Sequence, residues 1–121
     1  MIKKISTKIG LLLLMVGFGT CIDWFVHNSD PEYAVPDYYF RNKIIFGVFW
    51  AFIFAQLYRK IGDWRVKAVL VPLSFVGLLQ FNYYFQGYSL DFVISFMFVH
   101  FFAFLPASFF IYYYYDKELS A

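Results

Sequence analysis

The amino-acid sequence predicts an all-α membrane protein: four antiparallel transmembrane helices in an up-down-up-down bundle. Three observations carry this. Hydrophobic residues make up 62% of the chain and charged residues only 15%, where a soluble domain averages about 45–50% and about 25%. The mean hydropathy is +0.61. Apolar runs long enough to cross a bilayer, about 20 residues each, recur four times between short polar segments. In 121 residues four such spans leave no room for a soluble catalytic domain. The whole of 1–121 therefore reads as one transmembrane domain.

The first span runs from about Ile9 to Val26. Lys3, Lys4 and Lys8 before it, and Cys21 within it, imitate a lipoprotein signal. Phe18, Gly19 and Thr20 fit the small-residue cleavage box poorly, so the segment reads as a retained span. Gly17, Thr20, Cys21 and Trp24 repeat at helical spacing and suggest a close-packing face. A polar loop, His27 to Asp37, follows, with Asp37 placed to cap the next helix.

The second span covers about Ile44 to Tyr58, with Tyr38 to Lys43 as an amphipathic lead-in. It stops at the basic turn Arg59-Lys60-Ile61-Gly62-Asp63, which is short enough to force an antiparallel neighbour. The third span, about Val66 to Phe85, contains Pro72. Gln86 to Ser89 form a tight turn, with Ser89 as the cap of the fourth span, about Leu90 to Tyr115. That span contains Pro106. Each proline leaves a carbonyl four residues back without its donor, here Ala68 and Phe102. Neighbouring helices usually supply the missing bond.

Basic residues set the expected orientation. Lys3, Lys4, Lys8, Arg59, Lys60, Arg65, Lys67 and Lys117 fall on one side, and only Arg41 and Lys43 on the other. The positive-inside rule then puts both termini in the cytoplasm. The expected location is a prokaryotic plasma (inner) membrane, in keeping with the short loops. Tyrosine and tryptophan cluster near both expected interfaces, where amphipathic rings favour the headgroup depth.

Ionisable and polar groups inside spans are costly and call for a reason. His100 stands about 15 Å along its helix from Leu90, near mid-bilayer. It is either a proton carrier, ligand or substrate contact, or a neutral imidazole tying two helices together. Thr20, Asp23 and His27 share one helix face. A carboxylate beside an imidazole sets its tautomer and raises its basicity. The simpler reading is a helix end reaching water. Gln80 and Asn82, near the end of the third span, and Asp91 and Ser95, at the start of the fourth, fall on the same outer half. Asp91 alone has an easy explanation, since an acid in a first helical turn favourably meets the helix dipole. Together Asp23, His27, Gln80, Asn82, Asp91, Ser95 and His100 could line an outward-open funnel with His100 as its floor.

Asp23, His27 and His100 also form a two-histidine, one-carboxylate set suited to zinc or iron. Their spacing matches no established metal motif. No cofactor is predicted. The single cysteine excludes an intrachain disulfide and a Cys-x-x-Cys motif. A net charge of +2 gives no reason to expect nucleic acid. The serines and Cys21 lack any nucleophile motif.

Three functional classes remain. A non-catalytic binding, accessory or assembly subunit leads, with the lipid bilayer and a membrane-protein partner or second copy as its associates. It predicts polar residues bonded to one another without a sizeable cavity. A homo-oligomeric small-solute or ion conduit predicts a watery polar stripe ending at His100. An intramembrane enzyme on a lipid or isoprenoid predicts an apolar pocket where His100 and Asp23 converge as acid and base.

Overall fold

A computed structural model describes all residues, 1–121. The chain forms four long helices: α1 (Ile2–His27), α2 (Tyr38–Leu57), α3 (Trp64–Phe85) and α4 (Leu90–Leu119). A short 3₁₀ turn, Pro31–Tyr33, sits between α1 and α2. All four helices are long and apolar enough to cross a membrane. Each packs against its neighbour in sequence, and α1 packs against α4, so the four close into a bundle.

The helix ends follow from local chemistry. Asp63 caps α3, its carboxylate accepting from the Arg65 amide at 2.9 Å. The Arg65 guanidinium bonds the same carboxyl, and together these hold its pKa below the usual range. Ser89 caps α4 by accepting from the Phe92 amide, as expected. Asp37 does not cap α2. It has helical backbone angles and makes no capping bond. The turn between α3 and α4 passes through Gly87 at φ 99°, a left-handed conformation that side chains disfavour.

Two boundaries differ from expectation. Helix α1 begins at Ile2 rather than Ile9, because hydropathy marks where lipid begins, not where hydrogen bonding does. Helix α4 runs on to Leu119, with a kink at Tyr115 (φ −130°, ψ 22°). The kink lies beside an ion pair between Lys67 and Asp116 at 2.5 Å.

The core is a stripe from each helix. On α2 the buried positions are Tyr39, Lys43, Gly47, Ala51 and Ala55, every fourth residue. The small ones let α1 come close: a Cβ on Gly47 would stand 2.8 Å from Val16 Cγ1. On α1 a Cβ on Gly19 would overlap the Phe104 ring of α4. The close approach therefore uses Gly19. Gly19 is not on the expected packing face; of that face Thr20 is buried, Gly17 is half-buried, and Cys21 and Trp24 are exposed. Leu12, Met15, Val16, Ala51, Val71, Phe75 and Phe104 fill the middle of the bundle. Phe75 and Phe104 meet edge to face at 5.0 Å between ring centres. The outward faces remain apolar, with Phe18, Phe49, Phe81, Phe98 and Phe110 all exposed. A bundle that is greasy inside and out has lipid as its natural solvent.

Pro72 has the consequence read from the sequence. The carbonyl of Ala68, left without its helical donor, accepts from Ser108 Oγ of α4 at 2.7 Å. A neighbouring helix thus supplies the bond that proline removed.

Candidate functional site

Most of the buried polar residues, Thr20, Asp23, His27, Lys43, Gln80 and His100, gather near the C-terminal end of α1. Asp23 is at the centre, with no solvent exposure. Lys43 of α2 donates to Asp23 Oδ2 at 2.6 Å. His27, one turn along α1, brings Nε2 to 3.3 Å from the same oxygen. His100 of α4 brings Nε2 to 3.0 Å from Asp23 Oδ1. Taking a carboxylate and an ammonium out of water costs several kcal/mol for each ion, so the two enter the core only as a pair.

The second layer fixes both imidazoles. His27 Nδ1 lies 2.6 Å from the Tyr33 backbone carbonyl. A carbonyl only accepts, so Nδ1 carries the hydrogen. Gln80 donates its amide N–H to the Val93 carbonyl at 2.8 Å. That bond orients the Gln80 amide and leaves Oε1 to accept from His100 Nδ1 at 3.1 Å. Both rings therefore carry the proton on Nδ1, away from Asp23. In the neutral state each presents a bare Nε2 lone pair on the carboxylate side.

The contacts with Asp23 are accordingly incomplete. Asp23 Oδ1 and His27 Nε2 are buried without any hydrogen-bond partner. Buried polar atoms are nearly always paired, so two orphans in one cluster call for an explanation. The Tyr39 hydroxyl completes the group, 3.3 Å from His100 Nε2. The His27 ring stacks on Phe96 at 4.8 Å and 7°, which holds its plane.

Below the cluster the core turns dry. The Lys43 ammonium lies 5.3 Å from the centre of the Phe104 ring, a cation–π contact. Beyond Phe104 come Phe75, Val16 and Ala51. To one side, a cleft of about 130 Å³ between α2 and α3 is lined by Tyr39, Asn42, Lys43, Asn82 and Tyr83, among others. At about 30 Å³ per water it holds a handful of molecules.

Four residues singled out from the sequence meet here: Asp23, His27, Gln80 and His100. The other three do not join them. Asn82 is exposed and sits at the cleft mouth. Asp91 and Ser95 are exposed and line a separate groove with Glu32 and Tyr33. The seven therefore form no common funnel. Asp23 and His27 do not reach water as the simpler reading supposed; both are buried beneath α2 and α4. Sequence reasoning missed Lys43 and Tyr39. Their signal was present, because both continue the every-fourth-residue stripe of Gly47, Ala51 and Ala55.

Compared with family models, curated proteins and solved structures, the chain matches none.

Proposed function

We propose that this chain is a non-catalytic binding or accessory subunit of a membrane, a single four-helix domain with both termini cytoplasmic. The preferred setting is a prokaryotic plasma membrane, with helices running up-down-up-down. The excess of lysine and arginine near the two termini and the α2–α3 turn supports that orientation.

One observation carries the functional reading: Asp23, His27, Lys43, Gln80 and His100 are gathered in one buried cluster, with apolar side chains packed beyond it. Lys43 is bonded to Asp23, and Gln80 to both Val93 and His100. A conduit through one chain calls for a polar lining that continues past Phe104, where Phe75, Val16 and Ala51 lie instead. An enzyme acting on a lipid calls for an apolar pocket beside its acid and base. An apolar groove of about 690 Å³ lies between Leu13, Phe18, Pro106 and Phe110 on the outer faces of α1 and α4, and a smaller one of about 230 Å³ between Phe81, Leu90, Ile94 and Met97; neither is lined by Asp23 or His100.

The test is flux. The full chain is reconstituted in liposomes carrying an internal pH-sensitive dye, and a proton gradient is applied, then a zinc gradient with a zinc-sensitive dye. Leakage no faster than in protein-free vesicles is expected. Flux that disappears in His100→Gln would replace the binding reading with the conduit.

A further inference from the structure

We infer that Asp23, His27 and His100 form a binding site for one divalent transition-metal ion of the zinc class, entered from the cleft between α2 and α3. The inference rests on the binding reading above and names its ligand.

The donor set is right for such an ion. Two imidazoles and one carboxylate suit zinc and its neighbours, and leave a further coordination position open. One ligand atom from each residue can be chosen so that all three lie within 4.8 Å of one another. Ligand atoms sharing one zinc at about 2.0–2.1 Å stand about 3.0–3.4 Å apart. His100 Nε2 stands 3.0 Å from Asp23 Oδ1 and His27 Nε2 3.3 Å from Asp23 Oδ2, so the separations are of the right size but fall on the two different oxygens of the carboxylate. Turning the carboxylate toward the ion and drawing His27 Nε2 and His100 Nε2 together are the remaining adjustments.

The second layer makes the stronger argument. In metal sites a ligating histidine typically donates its other ring N–H to a carbonyl or carboxylate, which fixes the tautomer. Both histidines have that arrangement, His27 toward the Tyr33 carbonyl and His100 toward Gln80 Oε1. A structural tie between helices needs an N–H on the carboxylate side. Here the N–H groups point the other way, and Asp23 Oδ1 and His27 Nε2 stay unpartnered. A single cation between them satisfies both orphans at once.

Lys43 is the resident cation of this site. Its ammonium neutralises Asp23, and Lys43 is among the residues that line the cleft. A dication and an ammonium repel at such range. The incoming ion therefore displaces the ammonium from Asp23 Oδ2, and the cleft is the space into which Lys43 turns. Tyr39, beside His100 and also at the cleft, flanks the route.

The experiment uses the full-length protein in detergent micelles, with any affinity tag removed. Cobalt(II) is titrated first, because its visible d–d bands report tetrahedral or five-coordinate nitrogen–oxygen ligation. Zinc is then added to displace it. One cobalt per chain, bleached by one zinc, is the expected result. The chain has only two histidines, so His27→Gln and His100→Gln are each expected to weaken binding at least about tenfold. Lys43→Met keeps the inference testable if those variants fold poorly. Removing the competing ammonium is expected to tighten zinc binding about tenfold or more, with zinc restoring thermal stability to the variant. Wild-type protein without cobalt bands or a zinc-dependent thermal shift would overturn the inference, as would undiminished binding in both histidine variants. Absent metal binding together with absent flux removes the ligand assignment alone. Flux in the liposome experiment removes the binding reading itself.

Discussion

Of the three lysines the bundle buries, Lys8, Lys43 and Lys67, two form ion pairs with a carboxylate, one toward each end, and these are handled differently. Lys43 meets Asp23 where neither side chain sees solvent, 1% and 0% exposed. Lys67 meets Asp116 where the lysine is 3% exposed and the carboxylate 30%. Lys67 also donates to Ser120, which bonds the same Asp116. The second pair is a ring of satisfied partners opening onto water. The first is sealed, and shares its carboxylate with two imidazoles whose protons face elsewhere. A pair at an edge needs only to be soluble in both directions. A sealed pair must be complete, and this one is not. That difference is why the Asp23 cluster, rather than the more ordinary Lys67 pair, carries the functional proposal.

The comparison breaks most readily at Asp23. Asp23→Ala strands the Lys43 ammonium in a dry core and is expected to cost about 3–5 kcal/mol of stability, measured by reversible unfolding in mixed micelles. Adding Lys43→Met should recover much of that loss, because an apolar pair of similar volume is often tolerated where a broken ion pair is not. A single-variant cost no larger than that of Asp116→Asn would erase the distinction between the two ends. Next in size is Gly19→Ala, which presses a methyl into the Phe104 ring just below the cluster. A loss of about 1–3 kcal/mol is expected, with near-ultraviolet dichroism reporting the displaced Phe75–Phe104 contact.

At the other end, Asp116→Asn is expected to cost about 1 kcal/mol or less and to lose its effect in high salt, since this carboxylate is open to screening. A large, salt-insensitive loss would mean that the Lys67 pair is as sealed as the other. The smallest effect is expected at Ser108→Ala, about 0.6 kcal/mol, typical of interhelical hydrogen bonds in membrane proteins. Hydrogen exchange at α3 should speed up around Ala68 in that variant and stay unchanged near Asp23.

Fold and site were legible to different degrees. The spans followed from hydropathy because an unbroken apolar run of this length has few alternatives. Ser89 as a cap and the rescue of the Ala68 carbonyl followed from backbone chemistry that does not depend on helix orientation. Rotation about each helix axis was harder. In a bundle whose outside is as apolar as its inside, periodicity does not say which face points inward. Asp91 and Ser95 lay in the same outer half as His100 yet turned outward. Depth could be counted along the chain; direction required the packing. Lys43 was hidden for a related reason. A lysine near the end of a span is normally read as reaching for headgroups, so its role in neutralising Asp23 emerged only once α2 was seated against α1. Small residues every four positions were the available clue, and they ran directly into Lys43.

The bond from His27 to the Tyr33 carbonyl has a wider mechanical meaning. It is the one direct polar tether between the dry cluster and the connecting segment outside the helices. The Pro31–Tyr33 turn is short and internally braced, with Asp30 accepting from the Glu32 amide at 2.8 Å. A rigid turn transmits a pull rather than absorbing it. A rotation of the His27 ring breaks this tether or pulls on a turn whose Glu32 and Tyr33 stand exposed at the surface.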